Sequence, residues 1–386
     1  MHKEKRKMKV CFIQDGSFLR TAEKTNPFFD PIIKVCEQSG MDWRVGFRGM
    51  PKACGYQKGK VFSFKLFLFW EIWAWHIAKC FGAKASWKVQ VAFANMWKRV
   101  FGGIVDADIY ITIAGNMIYE LAAMYPNKRV IDLQHGVIYS GHQGYFLKDA
   151  RLTDRRCVFS NIEFWVFGKG YADCFFKNPE NAKDLEGRVK IIGDVVRANA
   201  RSVEGRVMNV EGAAGEERNL VVMSLQLTDD LDQEEKAGSV KVMEAFFGEF
   251  FKKYGDKYTV LFKHHPRFNN CYDLSDFYKK FPQIKESKAS WDELYPKMAM
   301  HITFASTSTF DCAANGIPTL LLNYPHKRAI NRAYWEYDFN YPLFNYSMDE
   351  ILSDFNKCSI IVSKWYSECY EPFDEKKCLK LLKGEN

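Results

Sequence analysis

Three things are scarce in this chain of 386 residues: paired cysteines, long apolar runs, and acid within the stretch 61–101. The eleven cysteines contain no CxxC pair and are odd in number, which argues against a disulfide framework or a zinc site and for core thiols in a reducing cytosol. No run reaches the length of a membrane-spanning helix. The basic start, MHKEKRKMK, is followed only by the apolar run 10–13, too short for a signal-peptide core. What is plentiful is core-forming: 47% hydrophobic and 16% aromatic residues exclude disorder, and the length suffices for two domains with a core each. The net charge of +8 asks for an acidic partner such as a nucleotide or an anionic membrane. No nucleic-acid-binding module is recognisable, so no nucleic acid is expected.

The acid-poor stretch 61–101 interleaves twelve aromatics with Lys65, Lys79, Lys84, Lys88, Lys98 and Arg99 against the single acid Glu71. Val89, Phe93, Met96 and Val100 share one helical face. Two readings stand: a helical region lying in an anionic membrane interface, or core aromatics with a solvated lysine rim.

Elsewhere the hydrophobic rhythm is β-α-β. A first strand, 9–13, runs into Gln14, Asp15 and Gly16; a helix over 31–37 and a strand over 43–47 follow. Asp15, at the carboxyl end of a first parallel strand, is a candidate base or merely half of an Asp-Gly turn. Strand 106–114 begins with Asp106 and Asp108, at the edge opposite a ligand crevice, and reads as a polar strand start rather than a metal site. Strand 129–133 delivers Gln134, His135 and Gly136, with His142 and Tyr145 just beyond. A histidine titrates near neutrality and can take a proton from a hydroxyl, so His135 is the candidate general base and His142 a second candidate. Strands at 164–167 and 189–192 precede a polar tract, 201–219, that reads as a domain boundary.

The second half repeats the rhythm. Strand 220–223, an amphipathic helix over 239–254 and strand 258–262 lead to Lys263, His264, His265, Pro266 and Arg267. Ser290 with Glu293 caps a short helix. Then comes the most informative stretch, 301–325: a buried strand, the hydroxyl-rich turn Ala305, Ser306, Thr307, Ser308 and Thr309, a helix closed by Gly316, and a second buried strand over 319–322. Hydroxyls and free N–H groups at a helix start make an anion site; the plain alternative is that Ser306 and Thr307 only cap the helix. The basic cluster and this turn both fall at carboxyl ends of strands in one domain, which favours a shared phosphate-bearing ligand. Tyr324, Pro325, His326 and Lys327 follow as candidate nucleotide contacts.

Two Rossmann-like halves, the QHG loop (134–136), Phe167 with Gly168, the IxGD segment (191–194), His265 with Pro266, and the Ser/Thr turn leading to A-x-G-x-P (314–318) resemble GT-B glycosyltransferases of bacterial surface polysaccharides. The resemblance is to the group of capsule sialyltransferases, polysialyltransferases, Kdo transferases and CDP-glycerol polymerising enzymes. It implies an α/β fold of two Rossmann-like domains around a central cleft. The implied layout is an acceptor-side domain over 1–200, a linker over 201–218, a donor domain over 219–345, and helices over 346–386 that cross back. It also implies a donor nucleotide sugar, CMP-linked by preference, held by Lys263, His265, Pro266, Arg267, Ser306, Thr307, Ser308 and Thr309. A glycan or lipid-linked acceptor would meet Gln134, Gly136, His142 and Tyr145. Gln14, Asp15 and Gly16 are similar to the D/E-D/E-G motif of some sialyltransferases, whose second acid is the base, with Gln14 in place of the first acid.

The chemistry needs charge stabilisation on the leaving phosphate and, if configuration inverts, a base for the acceptor proton: His135 or Asp15. No metal and no cofactor beyond the nucleotide sugar is expected. The expected location is the cytoplasm, peripheral at the inner face of the membrane if 61–101 docks there. A nucleotide-sugar epimerase or a non-catalytic binding protein of the same fold are the alternatives.

Overall fold

The computed structural model describes residues 6–49, 53–80, 87–115, 117–142, 144–153, 159–197, 218–229, 231–265, 271–323 and 335–385. Pro266 and Arg267, the segment 324–327, and nearly all of the expected linker lie outside them. The chain divides into two compact units, residues 1–200 with 370–386, and residues 201–369.

The first unit is built on a seven-stranded sheet in the order β3-β2-β1-β4-β5-β6-β7. The strands are β1 (Lys9–Gln14), β2 (Asp42–Phe47), β3 (Val61–Ser63), β4 (Ile109–Ile113), β5 (Arg129–Leu133), β6 (Ile162–Val166) and β7 (Val189–Ile191). All neighbours pair in parallel. Parallel strands covered on both faces read as continuous apolar runs, and every residue of β4, IYITI, is buried. The order reverses between β1 and β4, which makes their carboxyl ends the switch point where such sheets bind ligands. At the other edge Asp106 pairs with Lys9 (3.0 Å) and Asp108 with Lys128 (2.8 Å), in keeping with a polar strand start.

The helices of this unit are α1 (Asp30–Gln38), α2 (Lys65–Cys80), α3 (Trp87–Phe101), α4 (Ile118–Met124), α5 (Lys169–Phe175) and α6 (Asn181–Leu185). Pro31 opens α1, where its missing N–H costs nothing, and Ile32, Ile33, Val35 and Cys36 bury one face. Of Val89, Phe93, Met96 and Val100, which share one face of α3, only Phe93 is buried. Phe93, Ala94 and Trp97 are buried, whereas Met96 and Val100 stand in solvent, because α2 packs on α3 from the Phe93–Trp97 side.

The second unit carries a five-stranded parallel sheet, β10-β9-β8-β11-β12. Its strands are β8 (Leu220–Leu225), β9 (Thr259–His264), β10 (Lys285–Glu286), β11 (Met298–Thr303) and β12 (Thr319–Leu321). Its helices are α7 (Gln233–Tyr254), α8 (Ser275–Lys280), α9 (Trp291–Leu294), α10 (Ser308–Ala314), α11 (Met348–Ser353) and α12 (Phe355–Cys369). Capping boxes start α7 (Asp232 with Glu235) and α11 (Ser347 with Glu350), each satisfying N–H groups that have no helical partner. Gly316, at φ 66°, supplies the left-handed turn after α10 that its position predicts. The two sheets, each with its helices, make this an α/β chain of two Rossmann-like domains.

The chain's end belongs to the first unit. Helix α13 (Glu375–Lys383) lies on α1, where Lys34 pairs with Glu375 (2.8 Å), and Arg129 caps its C-terminus at the Leu382 carbonyl (2.9 Å). The IxGD segment docks this tail. Gly193 is left-handed (φ 89°), and a Cβ there would stand 2.3 Å from the Pro372 carbonyl oxygen. The Asp194 N–H donates to Glu371 O (2.8 Å), and Glu371 N–H to Phe167 O (2.9 Å). Only glycine satisfies both the dihedral and the close approach.

Candidate functional site

In the first unit the carboxyl edge is built from the segments that follow β1, β4, β5 and β6. After β1 the Asp15 carboxylate caps a short 3-10 helix, Gly16–Phe18, accepting the Ser17 N–H at 2.8 Å and the Ser17 hydroxyl. The turn reading of Asp15 therefore holds in the structure, and one of its oxygens is occupied. Phe18 from this helix meets the His135 ring edge-on at 5.8 Å, and the Arg20 guanidinium lies over Phe18 at 4.9 Å.

His135 stands at the end of β5, exposed at its outer face. Desolvation by the surrounding protein holds its pKa below the ordinary histidine value; Asp132 and Asp15 pull upward, and Arg20 pushes further down. The neutral imidazole is thus favoured at physiological pH, the form a proton acceptor needs. Asp15, His135 and Arg20 form one electrostatic cluster.

The other residues of the QHG loop serve the loop itself. Gln134 is buried; its amide donates to Gly136 O (2.8 Å) and accepts the Phe167 N–H (2.8 Å), tying β5 to β6. Gly136 is exposed, with open space where a side chain would go. His142 is half-buried and accepts the Gly144 N–H through Nδ1 (3.1 Å). Tyr145 is a core residue, its ring against Phe164 and Phe175. Of the expected acceptor-side residues, Gly136 is at the surface, His142 is half-buried, and Gln134 and Tyr145 serve as framework.

The segment after β4 carries a signal invisible in composition. Ala114 (φ 57°), Gly115 (φ 67°) and Met117 (φ 55°) are left-handed within four positions, directly at the switch point. Left-handed non-glycine residues cost of order 1 kcal/mol each and gather at ligand-binding sites. Behind them Glu120, in the first turn of α4, is buried beside Glu71 of α2. Burial first, then the Glu71 charge and hydrogen bond, push the Glu120 carboxyl up to about 7.

In the second unit the ends of β8, β9 and β11 are laced together. Gln226 accepts the Ala305 N–H (2.8 Å) and the Thr303 hydroxyl (3.2 Å), and the His265 N–H donates to Leu225 O (3.1 Å). In the hydroxyl-rich turn Thr307 is exposed and Ser306 half-buried, while Ser308 and Thr309 point inward. Ser308 bonds Ser306 (2.8 Å) and Ser224 (3.0 Å), and Ser224 bonds the buried His301 (2.8 Å). Burial drives the His301 pKa down to about 3, so the ring is a neutral strut whose Nδ1 meets Thr319 at 3.0 Å. Most N–H groups of the turn are taken internally: Ser308 N–H by the Ser306 hydroxyl (3.2 Å), Thr309 N–H by Ser306 O (3.1 Å), and Phe310 N–H by Thr307 O (3.0 Å). Ser306, Thr307 and the exposed His265 lie at the edge. Lys263 turns elsewhere, its ammonium on the Ala289 carbonyl (2.5 Å) and over the Trp291 ring (5.3 Å).

Sequence reasoning gave no role to Phe18, Arg20, His301 or Gln226. A histidine inside an otherwise apolar strand was the available signal for His301; nothing marked the other three.

No family model and no curated protein matches the chain. Among solved structures it is similar to the UDP-GlcNAc 2-epimerase from Methanocaldococcus jannaschii (13% identity over 97% of this chain and 99% of that one, TM-score 0.49). It is similar also to S. aureus MnaA with UDP (10% identity, 97% and 95%, TM-score 0.49) and to a variant of the wall teichoic acid polymerase TagF (12% identity, 98% and 87%, TM-score 0.47).

Proposed function

We propose that the chain is a metal-independent glycosyltransferase that moves a sugar from a nucleotide-sugar donor to a glycan or lipid-linked acceptor of a surface polysaccharide. The observation that carries this reading is His135, an imidazole at the carboxyl edge of β5 set edge-on to Phe18 at 5.8 Å, its pKa held below the ordinary value and Asp15 within electrostatic reach. In an inverting transfer the acceptor oxygen forms the new bond to the anomeric carbon. The bond from that carbon to the nucleotide phosphate breaks, with its electron pair leaving on the phosphate oxygen, and the acceptor proton passes to His135. Asp15, engaged with Ser17, serves by stabilising the resulting imidazolium. The donor phosphate is assigned to Ser306, Thr307 and His265 of the second unit, with Ser308 and His301 positioning the turn from beneath. Gly136 and His142 flank the acceptor, and the cytoplasm is the expected compartment. CMP is the nucleotide that the motif resemblance favours.

A thermal-shift panel of CMP, CDP, UDP, GDP and their sugars tests the donor half, because a ligand that binds only the folded state raises its Tm. One nucleotide is expected to stabilise the wild type, with the shift lost in His265→Ala. Folded protein that responds to none of them would refute the reading. Conversion of a nucleotide sugar to its epimer, with no free nucleotide released, would replace it with the epimerase.

A further inference from the structure

Helix α2 is amphipathic in the reverse of the usual sense. Leu66, Phe69, Trp70, Trp73 and Ile77 recur at helical spacing and are 63%, 55%, 45%, 53% and 48% exposed. The opposite face carries Phe67, packed on Phe93 (5.4 Å) and Trp97 (5.3 Å) of α3, and the buried Glu71. A helix of a water-facing surface would turn the first set inward. Charge on the pair of helices has one sign. Lys65 and Lys79 sit exposed near the two ends of α2, Lys88 and Arg99 are exposed on α3, and the only acid of either helix is the buried Glu71. Lys79 lies over the Trp75 ring at 5.8 Å, the pairing of cation and indole that suits a head-group boundary.

We propose that α2 seats along the surface of an anionic phospholipid bilayer, its aromatic stripe at the head-group boundary and its lysines on lipid phosphates. The helix has 16 residues, a length of about 24 Å against a hydrocarbon core of about 30 Å. No described helix is long and apolar enough to cross a membrane, so α2 lies in the plane. A second copy of the chain is the poorer occupant. An isologous contact would press this cationic rim against itself, with no exposed acid on α2 or α3 to answer it. The inference stands on α2 and α3 alone and is independent of the proposed reaction.

The test is co-sedimentation of the full chain, without nucleotide, with vesicles of phosphatidylcholine alone and of phosphatidylcholine with phosphatidylglycerol. The wild type is expected to sediment with the anionic vesicles and to be released by salt. Lys65→Gln/Lys79→Gln should lower that partition about thirtyfold. Trp70→Ser/Trp73→Ser should abolish it while leaving Tm unchanged, since both residues are exposed. Three results would overturn the proposal: no sedimentation with either vesicle, equal partition into both, or a solution dimer that the tryptophan variant converts to monomer.

Discussion

In the second domain Phe247 of α7 has no exposed surface and stands against Phe262 of β9 at 5.4 Å and Phe277 of α8 at 6.4 Å. In the first, Trp73 of α2 is one of several aromatics on an equally aromatic helix, and it stands in solvent. Aromatic content does not separate the two helices; the layer beneath them does. Helix α7 lies against β9, so its phenylalanines meet side chains from the sheet. Helix α2 lies on α3, and one residue, Phe67, suffices to fill that contact. Aromatic surface left without a second layer calls for a partner; aromatic surface inside the layers is core.

Substitutions can break this contrast. Phe247→Ala should cost about 4 kcal/mol by emptying a filled core position, read as a large fall in Tm or denaturant midpoint. Trp73→Ser should change stability by no more than about 0.5 kcal/mol. Equal losses would show that α2's stripe is core. Between these limits lies Gly193→Ala, which combines a left-handed residue with a close approach to the Pro372 carbonyl. A loss of about 3 kcal/mol is expected, with earlier proteolytic release of α13; unaltered stability would mean that the tail does not dock on Gly193.

Glu120→Gln sharpens the comparison from within, because Glu120 pairs with the one acid of α2. Its folded pKa, raised from 4.5 to about 7, means that the folded state binds the proton more tightly than the unfolded one. Stability is therefore greatest below about pH 4.5, declines as pH rises towards 7, and is flat above. The amide removes that slope. At pH 8 the variant should be about 3 kcal/mol more stable than wild type, with the difference vanishing below about pH 4.5. A parallel pH profile for the two proteins would contradict this picture of the pair.

Much of the frame was legible. Strand β5 runs over the residues expected of it, and Gly316 and the Ser290 cap fall where local chemistry puts them. These features depend on neighbours in sequence. The edge strand β3, at the head of 61–101, was missed because three half-buried residues carry no usable period. Which face of α3 is covered stayed open, because Met96 and Val100 share the helical spacing of Phe93 and only the placement of α2 decides it. At the site, position along the chain placed His135, His265 and the Ser306 turn at strand ends. It could not tell that Ser308 turns inward to His301, that Gln134 is committed to backbone, or that Ala114, Gly115 and Met117 are left-handed. Those are matters of dihedral and of partners distant in sequence.

The central claim is that His135 takes the acceptor's proton. Its most direct test is the transfer rate of His135→Ala, measured as nucleotide released from the donor that the thermal-shift panel identifies. The account predicts a fall of roughly 10²–10⁴-fold in kcat, an unchanged nucleotide-dependent Tm shift, and a wild-type acid limb below the ordinary histidine pKa. A variant that transfers sugar at the wild-type rate would contradict it.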